Sequence, residues 1–465
     1  MAMAVALIVL AVGSVLFFLF SPWHLTPLAS NWEAIDRTIS ISFWVTGLVF
    51  LAVTLFMALA LVRFGYQKQR RSRYEPENKP LEAWLTGLTT LGIAALLAPG
   101  LFVWGSFVSV PEDAHEVEVV AQQWHWGFRF PGEDGTLGAA RSSLIDAGNP
   151  FGIDPDDPHG QDDVLVENPR LLLPVDRPVK LILRSKDVIH NFKVAPFRAK
   201  MDVVPGQTSY FWLTPTQTGE FEAVCAELCG IAHFAMRAKV AVVEQPSFDA
   251  WLAEQPTYAE LESLEPADPD AGAERFSACV ACHGPQGEGQ QAINAPRLAG
   301  LDRDYFTRQL HLFQSGARGT HEADRFGQQM RPFATSLSDQ AIRDIAAYVE
   351  TLPVTPTRDT IIGDAERGAR LYRTCASCHG AQGAGMAAFK APRLAGMNDW
   401  YLVRQLRHFR DGIRGRHPQD GYGNQMVDMA QILIDDRALA DVTAYIGTLA
   451  QQTAASNVDA TRTEE

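Results

Sequence analysis

Three long apolar stretches near the amino terminus constrain this chain more than any other feature, because they are long enough to enter a membrane. They cover residues 1–20, 41–64 and 81–108. A helix needs about 20 apolar residues to cross the hydrocarbon core of a bilayer, and the second and third stretches clearly reach that length. The sequence therefore predicts a transmembrane helical hairpin over residues 31–110.

The loop between the second and third stretches is strongly basic. Its basic residues are Arg63, Lys68, Arg70, Arg71, Arg73 and Lys79. Short loops rich in lysine and arginine stay on the cytoplasmic side of a membrane. We therefore expect everything after residue 110 to lie on the outer side, which in a bacterium is the periplasmic side of the inner membrane.

Two features of this membrane region leave alternatives open. Residues 1–30 fit either a signal peptide, with the small residues "LAS" at 28–30 as a cleavage site, or an extra transmembrane helix. The stretch lacks the basic start of a typical signal peptide. Glu82, at the cytoplasmic start of the third stretch, is either an ordinary interfacial carboxylate or a functional group such as the mouth of a proton channel.

Length and charge limit the classes of protein to consider. The chain has 465 residues, enough for about three domains. Its formal net charge is −14, which argues against binding nucleic acid, since that requires a basic surface. An acidic balance of this kind usually keeps a protein soluble.

The first of three cysteine pairs has the composition of a copper site. The stretch "CAELCGIAHFAM" supplies Cys225, Cys229, His233 and Met236 within 12 residues. Zinc is an alternative, but thioethers are poor zinc ligands, and soft sulfur with imidazole favours copper. Strand-like patterns flank the stretch and predict a loop between strands. His190, at the end of an earlier predicted strand, is a candidate further ligand.

The other two pairs lie in "CVACH" at 279–283 and "CASCH" at 375–379. The pattern C-x-x-C-H attaches a c-type haem through two thioether bonds, with the histidine as an iron ligand. We therefore predict one haem on Cys279, Cys282 and His283. A second is predicted at the corresponding residues, Cys375, Cys378 and His379. These assignments use all six cysteines and leave none for a disulfide.

The two haem motifs belong to an internal repeat with an offset of 96 residues. "APRLAG" occurs at 295–300 and again at 391–396, and the same offset relates Met330 to Met426. These two methionines are the candidate second iron ligands, and a histidine–methionine pair raises the reduction potential. Met429 is a rival to Met426.

Apolar residues at helical spacing predict that each repeat is a small all-α domain. The helical stretches look like the terminal helices of class I cytochromes c. Surface positions are expected for the spare histidines, His311, His321, His408 and His417. The polar tail at 451–465 is expected to be disordered.

The whole pattern resembles subunit II of haem–copper cytochrome c oxidases fused to two class I cytochrome c domains. The residues that carry the resemblance are "SKDVIHNFKV", "MDVVPG", C-x3-C-x3-H-x2-M, the aromatic "QQWHWGFRF" and "LEAWLT". The resemblance implies a binuclear CuA centre bridged by Cys225 and Cys229. His190 and His233 would each bind one copper ion, and Met236 would be a weak ligand to one of them.

The resemblance implies roles for three more residues. Glu227 would give its backbone carbonyl to the other copper ion, and its carboxylate would face a magnesium ion shared with the catalytic subunit. Trp124 would receive electrons above the copper, and Glu82 would lie at the mouth of a proton channel. The family usually has tyrosine where this chain has His125, and the insertion at 131–164 exceeds the family core. Its acidic run "DPDDPHGQDD" predicts a polar loop more than a cation site.

The expected fold class is multidomain: a transmembrane α-hairpin, a cupredoxin-like β-barrel or sandwich, and two all-α cytochrome c domains. The expected bounds are 1–30 for the signal peptide or extra helix and 31–110 for the hairpin. The expected bounds of the remaining parts are 111–247 for the copper domain, 248–270 for an acidic linker, 271–354 and 362–450 for the cytochrome domains, and 451–465 for the tail.

The implied function is electron input to a respiratory cytochrome c oxidase, an oxidoreductase and translocase. Electrons would pass from two haems c through CuA to a catalytic subunit I, with a subunit III alongside, for reduction of O2 to water with proton pumping. The donor would be a soluble cytochrome c or a quinol-oxidising complex. The alternatives are an electron-input subunit of a nitric-oxide reductase and a membrane-anchored electron shuttle without an enzyme partner.

Overall fold

The computed structural model describes residues 2–21, 26–66, 68–69, 71, 76–146, 148–355 and 357–462, with side chains up to residue 450. Arg70 and Arg73 of the basic loop lie outside the described residues, as do 463–465 of the tail. Along the chain come three long apolar helices, a two-sheet β domain and two helical domains. The predicted multidomain fold class is confirmed.

The three apolar helices are long and apolar enough to span a membrane. They are α1 (Ala2–Phe20), α2 (Glu33–Arg63) and α3 (Lys79–Val108). Helix α1 packs along α2, and the residues buried in these two helices are all small: Ala4, Ala11, Thr54 and Ala58. Small residues let helix backbones approach closely in a membrane, so α1 packs as a membrane helix would.

Glu82 lies in the first turn of α3 and helps to cap it. Its Oε1 accepts a hydrogen bond from the backbone N–H of Asn78 at 3.3 Å. The Asn78 side chain in turn accepts from the backbone N–H of Leu81. A carboxylate at a helix N-terminus is stabilised by the unpaired N–H groups and the helix dipole. The structure thus gives Glu82 a local structural role as well as the proposed functional one.

The segment between α1 and α2 is anchored to the β domain. Ala29 is buried, the Ser30 hydroxyl donates to the carbonyl of Phe197 at 2.8 Å, and Trp32 Nε1 donates to the carbonyl of Trp212 at 2.9 Å. In the folded protein these contacts cover the small residues at which a signal peptidase would cut.

The β domain consists of two five-stranded sheets packed face to face. In the first sheet the strand order is β3-β2-β1-β5-β8, and in the second it is β4-β10-β9-β6-β7. The strands are β1 (His115–Gln122), β2 (His125–Phe130), β3 (Val164–Val166), β4 (Arg170–Pro174), β5 (Val179–Ser185), β6 (His190–Val194), β7 (Ala199–Val203), β8 (Ser209–Leu213), β9 (Gly219–Cys225) and β10 (Arg237–Val243). Apolar side chains from both sheets form one core.

Strand pairing in the second sheet brings distant ligand candidates together. Strands β6 and β9 are antiparallel neighbours, with Phe192 opposite Cys225. His190 begins β6 and Cys225 ends β9, so both side chains lie at the same end of the sheet. The loop from β9 to β10 carries the remaining candidates of the copper stretch at that end.

The insertion at 131–164 is not purely a polar loop. Phe151 and Ile153 are buried, and they pack with Val120, Leu165 and Tyr258 in a small second core. The mostly polar composition of the insertion gave no indication that these two apolar residues are buried. They cover the outer face of the first sheet. Among the described residues, the structure brings together one group of three or more potential metal-binding side chains, and it lies in the copper stretch rather than in this insertion.

The expected acidic linker is folded against the β domain. It forms α4 (Gln245–Leu252) and α5 (Tyr258–Glu262). Phe248 belongs to the main β core, and the Tyr258 backbone N–H donates to the carbonyl of Asp163 at 2.9 Å. Thr257 and Glu260 form a capping box at the start of α5.

Each helical domain has four helices. The first contains α6 (Pro269–His283), α7 (Arg303–Ser315), α8 (Arg325–Thr335) and α9 (Asp339–Thr351), and the second contains α10 (Ala365–His379), α11 (Asp399–Arg410), α12 (Gly421–Ala430) and α13 (Asp436–Arg462). The first and last helices of each domain pack closely. A Cβ on Gly272 would lie 2.0 Å from the carbonyl oxygen of Asp344, and one on Gly368 equally close to that of Asp441, so glycine is required at both crossings.

The two helical domains face each other through a reciprocal interface. Arg318 donates to the Tyr401 hydroxyl at 3.0 Å, and the repeat-equivalent Arg414 donates to the Tyr305 hydroxyl at 3.1 Å. Both arginines are buried. Burial alone would raise the pKa of Tyr401, but the guanidinium groups of Arg318 and Arg414 lower it. Equivalent residues contact each other's domain, as in a two-fold symmetric dimer.

One expectation about the helical domains needs correction. His408 is buried rather than at the surface, with its Nδ1 3.8 Å from Asp324 of the other domain, because α11 lies in the interface. The prediction for the tail at 451–465 stays a prediction.

Candidate copper and haem sites

Two thiols form the centre of the candidate copper site. The sulfur atoms of Cys225 and Cys229 are 3.6 Å apart, and both side chains are buried. Cys225 lies at the end of β9 and Cys229 in the following loop. The ligand atoms of His190, Cys225 and Cys229 lie within 4.8 Å of one another, so these three side chains form a ready-made cluster of soft donors.

The other candidates surround the two sulfur atoms. His190 Nδ1 lies 3.9 Å from Cys225 Sγ, and His233 Nδ1 lies 3.5 Å from Cys229 Sγ. The Met236 sulfur is 3.7 Å from Cys229 Sγ, and that side chain is fully buried. The carbonyl oxygen of Glu227 is 3.1 Å from Cys225 Sγ. The structure therefore brings together all six residues that the sequence predicted for this site.

The thiol pair favours loss of a single proton. A hydrogen bond from Cys229 lowers the pKa of Cys225, whereas the contact with Cys225 raises the pKa of Cys229. The physical cause is that the second thiol stabilises the first thiolate by donating to it. A copper site bound by both sulfur atoms as thiolates would displace the remaining proton.

Asp187 orients His190, and sequence reasoning missed it. Its Oδ1 accepts from His190 Nε2 at 2.8 Å, which turns Nδ1 toward the cysteines. Its Oδ2 accepts the backbone N–H of Gln123 at 2.6 Å. Burial alone would raise the pKa of Asp187, but these hydrogen bonds hold it below its ordinary value. Carboxylates that orient ligating histidines are a common feature of metal sites, so "SKDVIH" carried a usable signal.

Trp124 lies directly above the copper loop. Its Nε1 donates to the carbonyl of Cys229 at 3.2 Å, and the neighbouring Gln123 Nε2 donates to the same oxygen at 2.6 Å. Both tryptophans of this stretch belong to the core of the β domain, but Trp126 is fully buried, whereas Trp124 is 8% exposed and has its ring against the loop. The two tryptophans of "WHW" thus have different environments.

The two haem motifs have the same geometry. His283 ends α6 and His379 ends α10, and both are buried. The Nδ1 of each imidazole is 2.7 Å from a proline carbonyl, Pro296 for His283 and Pro392 for His379. Burial lowers the pKa of both histidines. A neutral ring that donates from Nδ1 keeps Nε2 free as an iron ligand.

An apolar cavity of about 520 Å³ connects the two motifs. Both C-x-x-C-H motifs line it, and so do Met330 on α8 and Met426 on α12. Met429 also lines the cavity but packs against the core of the β domain. Met330 and Met426 therefore line the same cavity as the two haem motifs, and their role as second iron ligands stays a prediction.

The donor sets fit the groups that they are expected to hold. All six cysteines lie in the described part of the chain, and none of them forms a disulfide. Cys279, Cys282, Cys375 and Cys378 are therefore available for thioether bonds beside an apolar cavity. The buried sulfur, imidazole and thioether donors near Cys225 suit copper.

Comparisons with known proteins agree with this division of the chain. The family profile described as "Cytochrome C oxidase subunit II, periplasmic domain" matches residues 116–243, and the cytochrome c profile matches 269–353 and 365–450. The alternative cytochrome c oxidase subunit 2 of Bradyrhizobium diazoefficiens is 56% identical over 261 residues, which are 56% of this chain and 94% of that protein. This chain belongs to the cytochrome c oxidase subunit 2 family.

Two further relatives match different parts of this subunit 2 homologue. Cytochrome c oxidase subunit 2 of Cereibacter sphaeroides is 32% identical over 257 residues, covering 49% of this chain and 80% of that protein. Cytochrome c4 of Thiocapsa roseopersicina is 37% identical over 196 residues, covering 40% of this chain and 94% of that protein. The subunit 2 domain implies copper and the cytochrome c domains imply haem c, so the protein is an electron-transfer protein with membrane-anchoring helices.

Proposed function

We propose that this protein is the electron-input subunit of a respiratory haem–copper oxidase. Electrons from two covalent haems c would pass through a binuclear CuA centre to a catalytic subunit I, which reduces O2 to water with proton pumping. The observation that carries the proposal is the cluster of two thiols, two imidazoles, one thioether and one carbonyl at the end of the second sheet.

The chain's own residues would hold the metal site in position. Cys225 and Cys229 supply two sulfur atoms close enough to be shared by two ions, and a single blue copper site uses only one thiolate. The hydrogen bond between His190 Nε2 and Asp187 fixes the imidazole ring, so that Nδ1 is directed toward the two sulfur atoms. Such preorganisation limits the structural change that accompanies a change of redox state.

Exposed apolar side chains around the ligand loop support a partner subunit. Leu228, Ile231 and Phe234 in the loop are exposed, and so are Val188 and Ile189 beside His190. Apolar groups clustered on a surface mark contact sites. We propose that this surface meets subunit I, with the exposed carboxylate of Glu227 facing a magnesium ion there, and that subunit III completes the complex.

The membrane region supports the proposed location. The described helices α1, α2 and α3 anchor the chain, and we propose that the copper and haem domains lie on the periplasmic side. The positive-inside rule supports this orientation through Arg63, Lys68, Arg71 and Lys79 of the loop between α2 and α3. Glu82, at the same end of α3, is proposed as the mouth of a proton channel.

The test is isolation of the intact complex through a tag on this chain. We expect two haems c and two coppers per chain, a seven-line mixed-valence electron paramagnetic resonance signal, and oxygen consumption coupled to proton release in liposomes. His233→Asn should abolish the copper signal and oxygen consumption but retain both haems. Consumption of nitric oxide instead of oxygen, or isolation of the chain without a catalytic subunit, would refute the proposal.

A further inference from the structure

The second cytochrome domain is docked on the β domain at Trp124. The ring of Phe389 stacks on the Trp124 ring, with centroids 5.4 Å apart and an angle of 28° between the planes. Gln425 Nε2 donates to the Trp124 carbonyl at 2.8 Å, and Gln122 Nε2 donates to the carbonyl of Ala388 at the same distance. These contacts leave Trp124 only 8% exposed.

Phe389 and Trp124 lie between two proposed redox sites. On one side, Trp124 hydrogen-bonds to the carbonyl of Cys229 in the copper loop. On the other side, Phe389 lines the same cavity as Cys375 and His379. Cys378 of this haem motif packs against the core of the β domain, so the second haem site faces the copper site directly.

The first cytochrome domain has a surface equivalent to the one that docks at Trp124, but there it is exposed. By the repeat offset, Ile293 corresponds to Phe389 and Phe333 corresponds to Met429. Ile293 is 46% exposed and Phe333 is 56% exposed, whereas Phe389 and Met429 are partly buried. The second cytochrome domain thus packs this surface against the β domain, whereas the first domain leaves the equivalent surface exposed.

Ion pairs hold the three domains in this arrangement. Lys390 Nζ lies 3.2 Å from a carboxylate oxygen of Glu167 in the β domain and 3.2 Å from one of Asp304 in the first cytochrome domain. Tyr422 packs on His125 of the β domain, with ring centroids 5.7 Å apart. The contact at Trp124 is therefore one of several contacts that join the second cytochrome domain to the β domain.

We propose that the second cytochrome domain alone donates to the copper site, through Phe389 and Trp124, and that electrons from outside reach it by way of the first domain. This inference rests on the proposed function and adds the order of the carriers. Each step would move one electron and no atom: a haem held by Cys375, Cys378 and His379 would be oxidised from ferrous to ferric, and a copper pair held by Cys225 and Cys229 would accept that electron. External donors have no access to Trp124, because Phe389 covers it.

The test compares Phe389→Ala with Ile293→Ala, the matched change in the other repeat, in the purified complex. A small soluble cytochrome c reduced with ascorbate is mixed with the oxidised complex without oxygen. Absorbance then follows the bound haems in the visible range and the copper pair in the near infrared. We expect haem reduction before copper reduction in the native complex. Phe389→Ala should slow copper reduction severalfold while haem content and the copper resonance signal stay unchanged.

Three results would overturn the inference: unchanged copper reduction in Phe389→Ala, an equal lengthening of the delay between haem reduction and copper reduction in Ile293→Ala, or copper reduction that precedes haem reduction in the native complex. Phe389→Leu, which keeps an apolar side chain at the docked surface, should slow copper reduction less than Phe389→Ala. A native complex with no mixed-valence copper signal would instead refute the proposed function itself.

Discussion

At the scale of single residues, the copper ligands depend on neighbours that are not ligands. His190 presents Nδ1 to the cysteines because Asp187 holds Nε2, and Trp124 lies over the loop because its Nε1 reaches the Cys229 carbonyl. Each of these contacts joins residues from different strands or turns. The site is therefore as sensitive to its supporting residues as to the ligands themselves.

Replacement of Asp187 should weaken the copper site without touching the haems. Asp187→Ala removes the acceptor for His190 Nε2, so the ring loses its fixed orientation, and copper affinity should fall about 10- to 100-fold. Competition with a copper chelator measures the affinity. The exposed Asp113→Ala is the control and should bind copper like the native protein. Equal affinities for Asp187→Ala and this control would contradict the role.

Acid should loosen the docked second domain through His125. Burial, helped by Lys186 and Lys390 and opposed by Asp187, lowers the pKa of His125 to about 3. A histidine whose pKa is depressed in the folded state contributes stability that is complete above its ordinary value near 6.5 and is lost as the pH falls toward 3. The free energy of unfolding should therefore be roughly 3 kcal/mol lower at pH 4 than at pH 7 through this group alone.

Denaturant unfolding of the haem- and copper-loaded protein at several pH values measures this effect. His125→Phe keeps an aromatic ring against Tyr422 but cannot titrate, so its stability should change less between pH 7 and pH 4. His321→Phe, at an exposed position, should keep the native pH dependence. Parallel curves for His125→Phe and the native protein would show that another group is responsible.

At the scale of elements, each cytochrome domain depends on a glycine where its first and last helices cross. Gly272→Ala would place a Cβ 2.0 Å from the carbonyl oxygen of Asp344. The helices must separate to accommodate it, which should cost about 1–3 kcal/mol or more. Thermal unfolding followed at the haem absorbance should show a lower midpoint for the first domain. Ser277→Ala, at an exposed position on the same helix, should have little effect, and a similar loss there would argue against the crossing as the cause.

The helices of the cytochrome domains were predictable from local signals, but the positions of other elements were not. Acidic or hydroxyl residues before apolar periodic runs marked α9 and α13. Phe151 and Ile153, in contrast, lie in an insertion whose composition is polar, and they are buried because α5 and the first sheet provide a surface for them. Local composition could not show that surface.

At the scale of the whole molecule, one lysine connects three domains. Lys390 pairs with Glu167 and Asp304, and these carboxylates raise its pKa even though burial opposes them. The double variant Glu167→Gln with Asp304→Asn leaves this partly buried charge without partners, which should weaken docking by about 2 kcal/mol. Hydrogen exchange at residues 386–391 and 122–125 should then become faster.

Adding Lys390→Met to that double variant should restore much of the protection, because no buried charge is left unpaired. Lys193, on β6 and distant in sequence from these contacts, provides a control: Lys193→Met in the double variant should restore nothing. If the triple variant exchanges as fast as the double, the lysine is not what holds the domains together.

The cofactor chemistry and the kinds of domain in this protein follow from short local patterns of residues. Cys225, Cys229, His233 and Met236 are close in the chain, as are the residues of each C-x-x-C-H motif, so their spacing alone indicated copper and haem. The tertiary structure decided how these sites face each other. Phe389 meets Trp124, and Lys390 meets Glu167, across more than 200 residues of chain. Such contacts depend on the shapes and charges of whole folded surfaces, which no local pattern of residues encodes.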